Sequence, residues 1–144
     1  MAAEQTPGSL VLLIRLTRSI YRQATEDVLG MRLKQYMALN HLGLTPGVGQ
    51  RQLGEALHLD PNNTVLMLND LEAAGWAERR RDPDDRRRHT VEITPAGRKA
   101  LARAEQALDG LEGDVLDGLS PDERATLREL LTRALADVPA AAYS

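Results

Sequence analysis

The sequence predicts a mainly α-helical fold with six helices and one small β-hairpin, in a single domain that covers residues 1–144. Apolar residues recur at steps of three and four over most of the chain, which is typical of amphipathic helices. Two short alternating segments flank the turn-rich run Asp82-Pro83-Asp84-Asp85, which is typical of a hairpin. A chain of this length buries roughly two-thirds of the surface that its unfolded form exposes, so the fold needs no disulfides.

Glycine and proline separate the first three predicted helices. An apolar stripe that starts at Leu10 predicts a first helix over Ser9–Leu29, and Gly30 ends it. The second and third helices are predicted over Leu33–Leu42 and Gln50–His58. The glycines and the proline between these two helices indicate a loop.

The fourth helix has the sharpest predicted start. Asp60 can accept hydrogen bonds from the free amides of the first turn, and Pro61 fits there because no donor is needed at that position. Gly75 can adopt the left-handed conformation that ends a helix. The prediction is therefore a helix over Pro61–Ala74.

The hairpin and two further helices complete the predicted fold. The strands are expected over Trp76–Arg81 and His89–Thr94. A fifth helix follows over Pro95–Gly118. The sixth helix starts at the capping box Ser120-Pro121-Asp122-Glu123 and runs through Asp137.

Composition narrows the classes of function. The absence of cysteine excludes disulfides, thiolate metal sites and cysteine nucleophiles, and it suits a reducing compartment. The three histidines are far apart in sequence, so neither a metal nor another cofactor is expected. Because the sequence shows no signal-peptide pattern and no apolar run of membrane length, we expect a cytoplasmic protein without a membrane partner.

Charge is segregated along the chain, although the formal net charge is −3. Residues 79–99 contain eight basic and four acidic residues, whereas residues 100–144 contain four basic and nine acidic residues. One region is therefore positive and the C-terminal helices are negative. This distribution suits a protein that places one face on phosphate groups.

The third helix, the turn, the fourth helix and the hairpin follow one another within about 45 residues. This order is that of a winged helix-turn-helix, which we predict over residues 31–94, with the wing over residues 77–94. Such a fold can place its second helix in a DNA major groove, whose width of ~12 Å admits one helix. We therefore expect double-stranded DNA as the partner and the fourth helix as the recognition helix.

Periodicity divides the recognition helix into two faces. Val65, Leu68 and Leu71 are predicted to face the core. The candidate base contacts are Asn62, Asn63, Thr64, Leu66 and Met67. Asparagine can form two hydrogen bonds with adenine, and an apolar side chain can contact a thymine methyl group. The alternative is that the two asparagines only satisfy backbone groups of the first turn.

The wing supplies the candidate contacts with the DNA backbone. These residues are Arg79, Asp85, Arg86, Arg87 and Arg88. The arginines can release counterions from phosphates or enter a narrow minor groove. A charged hairpin in solvent is the alternative for any such cluster, but its position directly behind a recognition helix favours DNA contact.

Three segments together resemble the MarR family of bacterial winged-helix regulators. They are Leu59-Asp60-Pro61-Asn62-Asn63, Asn69–Trp76, and the wing from Arg79 to Arg87 with Ile93–Arg98 after it. The match that carries these motifs spans Gln50–Arg98. The order of helices before and after it extends the resemblance over most of the chain.

The resemblance implies a homodimer that binds a pseudo-palindromic operator. Its dimerisation helices correspond to residues 9–30 and 95–137, and its two winged helices would occupy successive major grooves. A small effector usually binds between the dimerisation and DNA-binding parts of this family. A repressor that is released by such a ligand is therefore the expected function.

The family pattern also implies roles for wing residues. Asp85 is expected to pair with Arg87 and brace the wing, while Arg86 or Arg87 enters the minor groove. Leu66 and Asp70 depart from the pattern, because many members carry basic residues there. These departures concern base readout and leave the wing unaffected.

The candidate effector residues lie on the first two predicted helices. They are Arg15, Arg18 and Arg22 on the first, and Tyr36, Asn40 and His41 on the second. A guanidinium beside aromatic and amide groups would suit a small aromatic carboxylate. The alternative is that the arginines pair with acids or water and that Tyr36 belongs to the core.

Two other classes of function compete with this interpretation. An enzyme is not expected, because the sequence contains no nucleophile-base arrangement, glycine-rich phosphate loop or catalytic carboxylate pair on a recognisable scaffold. A winged helix that binds another protein, without a specific operator, is the other alternative. The fold alone does not decide between DNA and protein partners.

Overall fold

The structure is a computed structural model and describes residues 6–136. The helices in this range are α1 Ser9–Gln23, α2 Glu26–Leu29, α3 Leu33–Leu44, α4 Gln50–Ala56, α5 Pro61–Ala73, α6 Pro95–Val115 and α7 Pro121–Ala136. The strands are β1 Val48–Gly49, β2 Ala77–Arg81 and β3 His89–Ile93. The predicted mainly α-helical winged fold is confirmed. The predicted end of the last helix, Asp137, lies outside the described residues.

The first predicted helix is interrupted. One helix over Ser9–Leu29 was wrong, because the chain leaves the helical conformation at Ala24 and Thr25 before α2 begins. Leu29 is 1 % exposed, whereas α1 contains no buried residue. The break therefore lets the end of this segment reach the core while α1 stays on the surface. Gly30 then ends α2 with a φ of +77°.

A two-residue strand adds to the predicted hairpin. β2 and β3 pair antiparallel, from Ala77 opposite Ile93 to Arg81 opposite His89. β1 pairs antiparallel with β3, so the strand order is β1-β3-β2. The prediction missed β1, because two residues are too few to show an alternating pattern. The sheet covers one side of the core, where Val91 is completely buried.

The predicted start of α5 is confirmed, and the helix ends at Ala73, one residue before the predicted Ala74. Asp60 Oδ1 accepts a hydrogen bond from Asn63 N at 2.7 Å, and Pro61 is the first helical residue. Gly75 follows the helix with a φ of +77°. A residue with a side chain would be strained in this conformation, so glycine allows the chain to turn directly into the wing.

Thr94 connects the start of α6 with the end of α5. Its hydroxyl donates to the Gly75 carbonyl oxygen at 2.6 Å and accepts from Gly97 N at 3.0 Å. Gly97 lies so close to Trp76 that a Cβ atom there would be 2.1 Å from the Trp76 carbonyl oxygen. The first turn of α6 is therefore fixed against the base of the wing.

The last two helices are joined as predicted. Ser120 N donates to Glu123 Oε1 at 2.9 Å, and Ser120 Oγ accepts from Glu123 N at 3.2 Å, which confirms the capping box. α6 ends at Val115, before the predicted Gly118. None of the helices within residues 6–136 is both long and apolar enough to cross a membrane.

The hydrophobic core lies in the middle of the chain, from α2 to the first half of α6. Its largest completely buried side chains are Leu29, Met31, Leu39, Leu42, Leu53, Leu68, Leu71 and Val91. In contrast, α1 and α7 contain no buried residue. The winged helix-turn-helix is thus built around the core, and the first and last helices lie outside it.

Candidate nucleic-acid interface

The exposed face of α5 begins at its first turn. Asn62, Asn63 and Leu66 are exposed, and Leu66 retains 57 % of its accessible surface. Asn63 Nδ2 donates to Asp60 Oδ2 at 3.0 Å. This amide therefore supports the capping side chain of the first turn, whereas the alternative interpretation expected a bond to a backbone group. Asn62 and Leu66 extend from the same part of the helix and are accessible to a partner.

Two of the candidate base contacts lie in the core. Met67 is 8 % exposed, so its predicted position on or near the outer face was wrong, and the candidate contact Thr64 is 3 % exposed. The Thr64 hydroxyl donates to the Asp60 carbonyl oxygen at 2.8 Å, and it packs where a Cβ on Gly54 would have no room. The buried face of the helix is rotated from the predicted one, and Val65, which was predicted to face the core, is only half-buried. The residues that α5 buries are Thr64, Met67, Leu68 and Leu71.

The acidic side chains of α5 are paired with arginines from neighbouring elements. Asp70 Oδ2 lies 2.7 Å from an Nη atom of Arg32, which precedes α3. Glu72 forms an ion pair with Arg79 of β2. The helix contains no lysine or arginine of its own. The acid at position 70, which departs from the family pattern, therefore has a partner within the chain.

Arg79 lies in the middle of β2, away from the wing tip. It shares a strand face with Ala77, which is 2 % exposed, so its side chain extends from the inner face of the sheet. Its Nε donates to Glu72 and its Nη2 donates to Asn69 Oδ1 at 2.7 Å. The predicted DNA contact at Arg79 is thus engaged within the chain in this structure.

The wing tip is held by Asp85. Its Oδ1 accepts hydrogen bonds from Arg87 N at 3.1 Å and from Arg87 Nε at 3.2 Å. The backbone closes the turn through Asp82 N, which donates to the Arg88 carbonyl oxygen at 3.0 Å. The backbone and side-chain hydrogen bonds from Arg87 hold the pKa of Asp85 below its ordinary value. The pairing of Asp85 with Arg87 that the resemblance implies is present.

The three arginines of the tip extend into solvent. Arg86 is exposed, and the side chains of Arg87 and Arg88 are 92 % and 78 % exposed. Their positive charges lie at a turn that the backbone and Asp85 keep in place. Such a cluster can neutralise phosphates or insert into a narrow minor groove.

The first set of effector candidates lines a groove. Arg15 and Arg18 form it on α1 together with Tyr21 and Arg22, and its volume is about 520 Å³. The groove is open to solvent on the exposed surface of α1. It combines three guanidinium groups with one aromatic ring.

The second set of effector candidates lies on α3, and none of its members lines that groove. Tyr36 is 9 % exposed and belongs to the core cluster, as the alternative for this residue expects, while Asn40 and His41 are half-buried. Burial, followed by the negative charges of Glu105 and Asp109, raises the pKa of Tyr36. The phenol therefore remains neutral at neutral pH.

The sequence did not indicate Arg32 and Glu72 as residues of this site. Arg32 pairs with a residue 38 positions further along the chain, and no spacing rule connects the two. Glu72 lies three residues after Asn69 on α5, which places both on one helix face. That spacing could have indicated a shared partner, but it could not identify Arg79.

Comparison with known proteins places the chain among transcriptional regulators. A family model described as the MarR family matches residues 29–88. A Thauera aromatica protein named as a transcriptional regulator of the hcr operon is 40 % identical over 98 residues, which cover 68 % of this chain. The matched region spans 59 % of that relative's own length.

Two solved structures share the fold. A mutant MarR from Escherichia coli, solved with operator DNA, has a TM-score of 0.72 and 26 % identity, with coverage of 87 % of this chain and 91 % of that chain. PcaV from Streptomyces coelicolor, solved with its natural ligand, also has a TM-score of 0.72 and 26 % identity. That match covers 96 % of this chain and 100 % of PcaV.

An exposed helix in a helix-turn-helix, followed by a wing with an arginine tip, defines a winged-helix DNA-binding regulator. The relatives and the family model agree with that class. Residues 29–88 match the MarR family of transcriptional regulators, and the fold is that of the solved MarR structures.

Proposed function

We propose that this chain acts as a homodimeric repressor that binds a pseudo-palindromic operator and leaves it when a small ligand binds. The observation that carries the proposal is the exposed arginine turn at residues 86–88, which accompanies the exposed first turn of α5. In the proposed complex, α5 occupies a major groove and the wing tip lies over the adjacent minor groove. The operator-bound MarR of similar fold supports DNA as the partner.

Base readout is assigned to the accessible residues near the start of α5. Asn62 can bind adenine, and Leu66 can contact a thymine methyl group. Asn63 joins them if its amide exchanges the bond with Asp60 for one with a base. Thr64 and Met67 have no part in this readout, because their side chains are buried.

The dimer is assigned to α1, α6 and α7. Large apolar side chains of the first and last helices remain exposed in the single chain, at 75 % for Leu10, 53 % for Ile14, 51 % for Leu130 and 56 % for Leu135. Full burial of one such side chain contributes about 1.5–3 kcal/mol, so a second copy that covers them gains stability. Two-fold symmetry then places the two recognition helices about one helical turn of DNA apart. In this arrangement residues 9–30 and 95–137 dimerise and residues 31–94 bind DNA.

The groove on α1 is the proposed ligand site. A guanidinium binds a carboxylate through two parallel hydrogen bonds, and Tyr21 offers a ring for an aromatic ligand. A small aromatic carboxylate therefore fits Arg15, Arg18 and Arg22. The ligand-bound PcaV structure supports a ligand response in this chain, and no residue is given a catalytic role.

DNA affinity over a salt series tests the proposed function. The purified protein is expected to bind the promoter region beside its own gene, with an affinity that falls by about 10³-fold or more between 50 and 200 mM salt. A fall of this size corresponds to about six neutralised phosphates. No binding, or binding that salt does not weaken, would contradict the proposal and favour a protein partner.

Removal of the tip charges tests the role of the wing. Arg86→Ala combined with Arg87→Ala is expected to weaken binding to all sequences. It should also reduce the magnitude of the negative slope of log K against log salt by about two. Arg103→Ala is the control, because it removes an exposed arginine from the acidic part of the chain. Since α6 is assigned to the dimer, the mass of this variant in solution is compared with that of the unaltered protein. Normal affinity and slope in the double variant would refute the assignment of these arginines.

A further inference from the structure

Arg79 differs from the arginines of the wing tip in its surroundings. Its side chain is 25 % exposed, compared with 92 % for Arg87 and 78 % for Arg88. Its position on the inner face of β2 directs the guanidinium towards α5 rather than towards the end of the hairpin. The charge of Arg79 is therefore used inside the chain, although it lies in the most basic segment.

The two partners of Arg79 form a matched pair on α5. Asn69 and Glu72 are separated by three residues, so their side chains lie on one face of the helix, one turn apart. The planar guanidinium presents several donors in a fixed geometry, and it donates to both partners at once. This contact joins the wing to the recognition helix separately from the backbone connection at Gly75.

We propose that Arg79 is a positioning residue that sets the angle between the wing and α5 through Glu72 and Asn69, and that it does not bind phosphate. This inference rests on the proposed DNA-binding function. The helix and the wing tip must reach two grooves at the same time, so an angle fixed before binding lowers the cost of ordering them on DNA. Arg79 thus contributes to affinity without releasing a counterion.

The proposal predicts the sign of an effect at Glu72. Near a polyanion, loss of an acidic side chain raises affinity, because it removes a repulsion. If Arg79 bound phosphate, Glu72→Gln would also release its guanidinium for DNA. If Arg79 positions the wing, the same substitution weakens the contact that holds it, and the affinity falls.

Asp70→Asn is the matched control for Glu72→Gln. It removes the same charge from the same helix, but it breaks the contact with Arg32 and leaves the wing contact intact. We expect Glu72→Gln to bind operator DNA about two- to fivefold more weakly than Asp70→Asn, as befits a partly exposed ion pair. Equal or tighter binding by Glu72→Gln would overturn the proposal.

The salt slope separates positioning from phosphate binding. Arg79→Ala is expected to lower the affinity while the slope of log K against log salt stays unchanged, whereas Arg86→Ala lowers the slope by about one. Arg79→Lys keeps the charge but not the two-partner geometry, so it is expected to resemble Arg79→Ala. A slope that falls by one in Arg79→Ala, with recovery in Arg79→Lys, would overturn the proposal.

Amide hydrogen exchange tests the contact without DNA. In Arg79→Ala and Glu72→Gln, the hydrogen-bonded amides of β2 and β3 are expected to exchange about two- to fivefold faster, while Asp70→Asn and Arg86→Ala keep the exchange of the unaltered protein. Unchanged exchange in both Arg79→Ala and Glu72→Gln would refute the positioning role. Failure of the unaltered protein to bind DNA would refute the proposed function, and exchange would still decide whether Arg79 orders the wing.

Discussion

The middle of the chain and its two ends are stabilised differently. From α2 to the first half of α6, apolar side chains from helices and sheet meet in one core, and several are completely buried. In α1 and α7 no residue is buried, although both helices carry leucines and α1 also carries isoleucines. The core of the winged helix is thus formed within one chain, whereas large apolar side chains of the end helices stay exposed among residues 6–136.

The largest expected effect comes from charging the end helices. Ile14→Glu combined with Leu130→Glu places acids on residues that are 53 % and 51 % exposed, so the fold of the single chain should persist. Loss of the proposed dimer would separate the two linked half-site contacts, so affinity for the operator is expected to fall by about 10²- to 10⁴-fold. Light scattering and DNA binding measure the two consequences.

The control for this double variant is Leu44→Glu. Leu44 is 77 % exposed and lies at the end of α3, outside both end helices. It is expected to leave the mass in solution unchanged. A double variant that remains dimeric and binds normally would remove the distinction between the middle and the ends.

Two glycines of α6 allow the packed middle of the chain to be compared with its uncovered end within one helix. A Cβ at Gly97 would lie 2.1 Å from the Trp76 carbonyl oxygen, whereas a Cβ at Gly110 would meet no atom within 4 Å in the single chain. Gly97→Ala is expected to lower the free energy of unfolding by about 1–3 kcal/mol, because the packed start of the helix must shift. Gly110→Ala is expected to raise it by about 0.5–1 kcal/mol, since alanine favours a helix interior. Denaturant unfolding measures both, and effects of the same sign would contradict this comparison.

The smallest expected effect is on acid titration, where one carboxyl in each region can be compared. Hydrogen bonds from the Arg87 backbone and side chain lower the pKa of Asp85, and those from Ser120 lower the pKa of Glu123. A folded pKa below the unfolded one stabilises the fold above the unfolded value, and this contribution is lost as pH falls through the folded pKa. Since the ordinary values are 3.8 and 4.5, both contributions are present at neutral pH and lost only in acid below them.

Carbon NMR titration of the carboxyl groups measures these two pKa values. Midpoints below 3.8 for Asp85 and below 4.5 for Glu123 are expected. Asp85→Asn should remove the wing titration with its midpoint below 3.8 and leave the titration of Glu123 unchanged. A midpoint for Asp85 at or above its ordinary value would show that the brace does not form in solution.

The parts of the fold that depend on local chemistry could be predicted from the sequence. The cap at Asp60, the turn at Gly75 and the capping box at Ser120 each involve residues within one helical turn, and all three are present. The break after α1 could not be predicted, because the apolar spacing continues to Val28 without interruption. The break is explained only by the packing of Leu29 into the core, which the sequence does not show.

In the candidate site, too, only the arrangements that depend on nearby residues could be predicted. Asp85 and the tip arginines belong to one short motif, so their arrangement follows from nearby residues. Four consecutive apolar residues from Val65 to Leu68 allow more than one helix phase, which explains the misplacement of Met67. The partners of Arg79 and Arg32 lie on other elements, and no local pattern indicates such distant ion pairs.

The neutralised acids of α5 have a consequence for how binding preferences can change. With no basic residue of its own and both acids bound to neighbouring arginines, the helix offers DNA shape, amides and methyl groups rather than charge. If the proposed function holds, affinity for DNA and choice of sequence belong to separate elements, the wing and α5. In the proposed complex, exchange of Asn62 or Leu66 is therefore expected to redirect the protein to another operator, while its response to salt remains that of the wing.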